Sequence, residues 1–590
     1  MSIEAELQET VNYTPLQRMR HSAAHVMAEA VLELFPDAKL GIGPAIEDGF
    51  YYDFELPRSL TPEDLPEIEQ RMRRIIAGKY PFIQERWPRE KALEYFKAKN
   101  QPFKVELIEN LPDAEVGIYQ QDTFLDLCRG PHVQNTGEIG PFKLKPPTGA
   151  YWRGDEHRPM LQRIYGTAWF TQEELDQYLW RQEEAMKRDH RKLGKELELF
   201  HFDPTAPGMP YWLPRGQKLL LELISFWRSE HEKRGYQEIS APLINDRHIW
   251  EISGHIDHYK DDMFVVPIDE HTTYGIKPMN CPNAMIVFNI KTRSYRDLPL
   301  RLADCDVLHR HERSGTLHGL LRAQKFQQDD AHIFVTEEQL EPEFDNVLEI
   351  ADLFYRIFDL KYSFRLGTRP ESYIGDLATW DRAESILKRI LDKHKEPGNY
   401  QIAEGDGAFY GPKIDILMED ILGRQWQMGT IQLDFQMPRR FKCTYIAKDG
   451  SEQTPIVVHR VIYGTLERFI GILIEHTAGA FPVWLAPVHA MIIPIADRHV
   501  DYASKVQATL REAGIRAEID AGNERMNAKI RDAQLQKFPY MLIVGDKEVE
   551  ADAVSVRLRT NVDLKSMPLV QFIEQVKEVI QTKSREVWLS

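Results

Sequence analysis

Along 490–544 the apolar residues change rhythm four times. The short runs 490–496, 515–519 and 540–544 read as buried strands, while 503–513 and 525–536 carry apolar residues at helical spacing. A strand–helix alternation of this kind predicts a mostly parallel sheet covered by helices. Upstream, Pro204, Pro207, Pro210 and Pro214 punctuate the chain before Leu220, Leu223, Ile224 and Trp227, which fall at i, i+3, i+4 and i+7 on one helical face. Thr171-Gln-Glu-Glu174 has the capping-box pattern, with Leu175, Tyr178 and Leu179 following, so 171–195 reads as a charged linker helix. Near the start, 21–35 is helix-like and Gly49-Phe-Tyr-Tyr-Asp53 strand-like. These shifts divide the chain into 1–170, 171–195, 196–486 and 487–590. The fold class is multidomain, with α+β parts followed by an α/β domain.

Length agrees, because 590 residues exceed a single compact core. The chain has no run of ~18 apolar residues, and its first twenty lack an apolar signal core, so a soluble, cytoplasmic protein without a membrane partner is expected. Four cysteines fit a reducing compartment better than a disulfide framework. A net charge of −17 argues against indiscriminate coating of nucleic acid, which needs local excess of Lys and Arg. It leaves a specific RNA partner open, since residues 486–590 carry 15 basic and 15 acidic groups.

Three polar segments hold the candidate chemistry. Cys281, His332 and His459 make a plausible three-ligand zinc set, which keeps a fourth position open for a small molecule. Nucleotide phosphate must be met by side chains: no G-x-x-x-x-G-K-[ST] run occurs, and Ile46 replaces the third glycine after Gly41-Ile-Gly43. Arg310, Arg322 and Arg468 are the candidates, because the guanidinium stays ionised and binds phosphate at two points. Separately, His21-Ser-Ala-Ala-His25 places two imidazoles on one helical face, and Cys128-Arg-Gly-Pro-His132 adds a thiol and a third imidazole. That spacing alone suggests a four-ligand zinc site.

The segments Lys277-Pro-Met-Asn-Cys-Pro282, Arg310-His-Glu312 and Gly464-Thr-Leu-Glu-Arg468 resemble the active site of threonyl-tRNA synthetases, class IIa aminoacyl-tRNA synthetases, and the likeness runs over 10–590. The resemblance implies a class II catalytic domain built on an antiparallel sheet, an α+β editing domain before it and an α/β anticodon-binding domain after it. It implies a homodimer that activates L-threonine with ATP and magnesium and charges tRNA(Thr), with one zinc per subunit on Cys281, His332 and His459. Arg310 would clasp the α-phosphate, Glu312 orient adenine, Arg322 bend to the outer phosphates, Phe326 stack on the base and Arg468 cover the other face of ATP. Lys413 and Gln328 join Arg310 and Arg468 as catalytic residues. Tyr410, Gln427, Thr430, Gln432 and Asp330 would line the substrate pocket, where Met428 stands in place of a cysteine of some relatives.

Serine shares threonine's amino and hydroxyl groups, and one methyl is worth only about 1–3 kcal/mol, so a corrective step is expected. The resemblance assigns it to His21, His25, Lys104, Asp126, Cys128 and His132, favouring hydrolysis of seryl-tRNA over a structural metal. A histidine titrating near neutrality would suit the proton transfer. Asn523, Glu548 and Arg557 fall where the family contacts its anticodon. The TGS domain that opens many relatives is not expected. The rival readings are a synthetase-like RNA-binding regulator without catalysis, and an alanyl enzyme or free-standing editor.

Overall fold

The computed structural model describes residues 13–313, 315–394 and 400–589. The first twelve residues of the expected 1–170 domain, and Ser314 in the segment between Glu312 and Arg322, lie outside the described residues. The chain forms two compact units, Met1–Glu183 and Glu184–Ser590.

In the first unit, helix α1 (Pro15–Leu34) starts at a capping box: Thr14 Oγ1 accepts from Gln17 N, and Gln17 Oε1 accepts from Thr14 N. Proline at the first turn costs the helix no bond. Met19, Ala23, Val26, Met27, Ala30 and Val31 pack against Phe50, Tyr52 and Phe54 of strand β1 (Gly49–Glu55). The helix is buried around nearly its whole girth, so His21, Ser22, His25 and Glu29 are also taken out of water. Helix α2 (Pro102–Asn110) and the hairpin β2 (Glu115–Gln121) and β3 (Phe124–Leu127) bring further polar groups, while β4 (Met160–Ala168) pairs antiparallel with β1.

The expected linker helix is broken in two. Helix α3 (Gln172–Arg188) starts with the predicted capping box, Glu174 N donating to Thr171 Oγ1 and Thr171 N to Glu174 Oε2. It ends at Arg188 because the Asp189 carboxylate accepts from Arg191 N and caps a second helix, α4 (His190–Glu196).

The second unit is organised by a mainly antiparallel nine-stranded sheet. Helices α5 (Pro214–Glu232) and α6 (Cys281–Asn289) precede its central strands β5 (Leu300–Asp304) and β6 (Lys325–Val335). Helix α7 (Leu340–Ile357) leads to β7 (Lys361–Gly367), β8 (Lys413–Glu419), β9 (Gln425–Asp434) and β10 (Ile456–Thr465), and helix α8 (Leu466–Thr477) follows. The antiparallel order is β5–β6–β10–β9–β8–β7. Strand β6 alternates as a sheet strand must. Ala331, Ile333 and Val335 join the core with Leu223, Trp227 and Val347, whereas Phe334 packs with Cys281 and Met285 on the opposite side.

In the C-terminal part β11 (Ala490–Pro494), α9 (Val500–Glu512), β12 (Ala517–Ile519), α10 (Met526–Leu535) and β13 (Tyr540–Val544) follow the predicted alternation. Strands β12–β11–β13 are parallel. After α11 (Asp546–Ala551), the sheet continues with the antiparallel hairpin β14 (Ala553–Leu558) and β15 (Asp563–Pro568), and α12 (Leu569–Gln581) covers it. Among the described residues, no helix is long and apolar enough to cross a membrane.

Candidate active sites

Sheet register brings the first cluster together. His332 on β6 and His459 on β10 are directly opposed, and Gln432 on β9 opposes His459 from the other side. Cys281 opens α6, and its thiol and the two imidazoles have donor atoms within 4.8 Å of one another. All three residues are buried. Nε2–H of His459 donates to Asp434 Oδ2 at 2.9 Å, the carboxylate–imidazole contact that orients a metal-binding histidine. Nδ1 of His332 is buried with no hydrogen-bond partner. Burial, with His459, Arg460 and Lys277 nearby, holds the His332 pKa well below its ordinary value, so the ring is the neutral, ligating form. Burial beside Asp330 and Asp434 pushes the Cys281 thiol up; a divalent cation reverses that preference. One sulfur and two nitrogens with a fixed outer contact fit a zinc ion with an open position.

The surrounding wall is polar. Tyr410 Oη donates to Gln432 Oε1 at 2.6 Å, and Asn280 Nδ2 donates to Asp330 Oδ2 at 3.2 Å. Asp415, fully buried on β8, gathers four groups: Gln427 Nε2 at 2.8 Å, Thr430 Oγ1 at 3.0 Å, Arg365 Nη2 at 2.8 Å and Lys413 Nζ at 3.1 Å. Lys413 also reaches Asp406 at 3.2 Å. Asp415, Arg365, Asp434 and Asn280 carry no chemical motif of their own in the sequence. The one sequence signal for Asp415 is its place as an acidic residue inside the apolar strand segment Ile414-Asp-Ile416.

The arginines form a second, adjoining group. Arg310 Nε donates to Pro278 O, and its guanidinium carbon lies 5.2 Å from the Phe326 ring centroid and 5.8 Å from that of Tyr259. Arg322 pairs with Glu312 at 3.5 Å. Arg468 Nε donates to Leu321 O at 2.9 Å. Burial lowers the Arg468 pKa, and Arg322 and Arg310 lower it further while Glu312 opposes them, so all four charges share one space. A β-bulge places Arg468 there. Register shifts between Gln328 and Asp330, and the Asp329 carboxylate accepts from Ile462 N and Gly464 N at 3.1 Å each. Gly464 has φ +77°, and a Cβ there would sit 2.4 Å from Met428 O. The end of β10 delivers Thr465 as the cap of α8, its Oγ1 accepting from Arg468 N.

In the first unit, His21, His25, Cys128 and His132 also bring ligand atoms within 4.8 Å. Cys128 Sγ lies 3.4 Å from His21 Nε2 and 3.3 Å from His132 Nε2, and Ser22 Oγ bonds to His132 Nδ1 at 3.0 Å. Beside them Lys104 Nζ meets Asp126 Oδ1 at 2.7 Å and donates to Tyr52 Oη at 3.0 Å, and Tyr52 Oη donates to Asp126 Oδ2. All six residues expected at the editing site are therefore assembled, with Tyr52 added. The expectation of a histidine titrating near neutrality is corrected. Burial brings His21 down to about 4 and takes His25 and His132 well below their ordinary value, while burial raises the Cys128 thiol to about 12.

Of the three expected anticodon contacts, Asn523 is exposed ahead of α10, and Arg557 lies on β14 with its Nε buried and unpaired. Glu548 differs from a free edge-reading group. Its Oε2 accepts from Gly545 N at 3.0 Å at the start of α11, and its Oε1 accepts from Ser555 Oγ on β14 at 2.8 Å.

Residues 264–477 match the family described as tRNA synthetase class II core domain (G, H, P, S and T), 489–579 the anticodon binding domain, and 116–165 the threonyl and alanyl tRNA synthetase second additional domain. The threonine–tRNA ligase of Acetivibrio thermocellus is 51% identical over 565 residues, 96% of this chain and 88% of the relative. That of Desulforamulus reducens is 52% identical over 566 residues, covering 96% and 89%. Among solved structures, the RNA binding domain of threonyl-tRNA synthetase from Cryptosporidium parvum Iowa II superposes with TM-score 0.64 at 41% identity, over 66% of this chain and 98% of that one. Prolyl-tRNA synthetase from Cryptosporidium parvum, at 17% identity and TM-score 0.51 over 67% and 75%, shares the fold.

Proposed function

The chain belongs to the threonine–tRNA ligase family, and from that premise we propose that it activates L-threonine with ATP and magnesium, charges tRNA(Thr) and hydrolyses mischarged seryl-tRNA. The observation that carries the activation step is the convergence of Cys281, His332 and His459 beside Arg310, Arg322 and Arg468. Zinc held by the trio would supply a Lewis-acidic open position for the amino and hydroxyl groups of threonine, a contact valine lacks.

Around it the chain's own residues hold and orient. Asp330, steadied by Asn280, and Gln432, steadied by Tyr410, offer polar partners to the substrate. Asp415 fixes Gln427, Thr430 and Lys413 in one arrangement, so the pocket wall is set before substrate arrives. As the threonine carboxylate attacks the α-phosphorus, charge gathers on the equatorial oxygens, and Arg310 and Arg468 are the fixed cations placed to stabilise it. The carboxylate is already a nucleophile, so no general base is assigned. Phe326 and Glu312 would take adenine, with Arg322 turning from Glu312 to the outer phosphates.

In the first unit, neutral His21, His25 and His132 and the protonated Cys128 would hold a water or the terminal ribose hydroxyl by hydrogen bonds. The Lys104–Asp126–Tyr52 set flanks them. Anticodon bases would meet Asn523 and Arg557, with Glu548 shaping the adjoining turn. The domain limits 1–170, 171–195, 196–486 and 487–590, a homodimer and a cytoplasmic location belong to the same reading.

Amino-acid-dependent pyrophosphate exchange with threonine, serine, valine and alanine tests it. Threonine and, more weakly, serine should support exchange, valine and alanine should not. Exchange led by alanine, or none with any of the four, would remove the reading.

A further inference from the structure

Helix α4 contributes one side chain that reaches the arginine group from behind. His190 is completely buried, and its Nδ1–H donates to Glu475 Oε1 at 2.8 Å. A ring protonated at Nδ1 has Nε2 free to accept, and Nε2 accepts from Leu320 N at 3.2 Å. Leu320 belongs to the short turn Gly319–Leu321, closed on itself by the bonds between His318 and Arg322. From this turn Leu321 O takes the Arg468 Nε–H, and the next residue is Arg322. Both phosphate-facing candidates, Arg322 and Arg468, are thus anchored to a turn whose own amide is held by His190.

Helix α8 closes the loop of contacts. Arg468, Gly471 and Glu475 are spaced i, i+3 and i+7, one face of the helix. Gly471 leaves room for the turn, since a Cβ there would stand 3.1 Å from Leu321 Cδ2 and 3.2 Å from Leu320 Cβ. Gly319, at φ +53°, leaves room for the imidazole: its Cβ would fall 2.3 Å from His190 Nε2. Glu475 is in turn held by Arg424, and Asp189 caps α4 at the residue before His190. Both ring nitrogens of His190 and both carboxylate oxygens of Glu475 have partners, so the pair is held as a clamp.

We infer that His190 is a positioning residue for ATP: through Glu475 and Leu320 it fixes the turn Gly319–Leu321 and thereby the aim of Arg322 and Arg468. It touches neither nucleotide nor threonine. The inference rests on the assignment of those arginines to ATP under the proposed function.

The test compares His190→Ala, His190→Gln and His190→Asn in the full chain, with ATP affinity read by calorimetry and threonine KM by pyrophosphate exchange. Glutamine puts an acceptor where Nε2 stood and keeps the Leu320 bond, whereas asparagine reaches only Glu475. The expected result is ATP affinity weakened about 10–100-fold in His190→Ala and His190→Asn, largely restored in His190→Gln, with threonine KM changed by less than about two-fold. If His190→Ala does not fold, the Gln and Asn pair decides. Equal behaviour of Gln and Asn, or parallel losses for ATP and threonine, would overturn the inference. ATP binding that follows this pattern without any threonine-dependent exchange would sink the functional reading and leave the clamp standing.

Discussion

Asp434 Oδ2 accepts the Nε2–H of His459 at 2.9 Å, and the two side chains come from adjacent strands of the central sheet. Asp434 Oδ1 is occupied by Gln436 N and Met437 N, so the carboxylate cannot swing away without leaving two backbone donors unpaired. Asp434→Asn keeps an acceptor for those amides and removes the charge facing the imidazole. Zinc affinity should fall about 10–100-fold, read by competition with a chromophoric chelator. Unchanged affinity would mean that this contact does not tune the site.

Under the proposed function Arg310 meets the charge that develops on the α-phosphate. Arg310→Ala should lower threonine-dependent pyrophosphate exchange about 10²–10³-fold, the usual cost of removing one pre-placed donor, with zinc content unchanged. A loss below about three-fold would assign the guanidinium to surface pairing instead.

His21→Ala combined with His25→Ala should leave threonine activation intact and let seryl-tRNA accumulate in a deacylation assay. The imidazoles lie in the first unit, and Cys281, His332, His459 and the residues proposed for activation lie in the second. Deacylation at the normal rate would remove the editing assignment.

Glu29, buried beside α1's imidazoles, has its pKa raised to about 7 by burial, with Gln121 opposing and Asp122 adding to the rise. The folded state therefore holds an extra proton between about 4.5 and 7. Stability from this group is present below pH 4.5 and is lost as pH climbs through 7. Hydrogen-exchange protection of α1, corrected for intrinsic rates, should drop roughly 50–100-fold from pH 5 to pH 8 in the wild type, and Glu29→Gln should not show that drop. The same pH dependence in both proteins would contradict it.

Periodic elements were legible in sequence because local spacing decides them. Strand 540–544 falls where predicted, and the helix expected at 503–513 spans Val500–Glu512. The break at Asp189 was not, since an aspartate inside a charged helix pattern gives no sign that its carboxylate will cap a second helix. Nor was the antiparallel hairpin that ends the last sheet. Ligand and arginine candidates were legible because cysteine, histidine and arginine mark their chemistry by type. Asp415 was not, because its meaning lies in Arg365, 50 residues away, and in Gln427 and Thr430 on the next strand.

The proposed function stands on Cys281, His332 and His459 holding one zinc ion that reads threonine. Metal analysis of purified, exchange-active protein alongside Cys281→Ala tests it most directly. One zinc per chain is expected in the wild type, and its loss in the variant. Active wild-type protein without zinc, or a zinc content unaffected by Cys281→Ala, would contradict it.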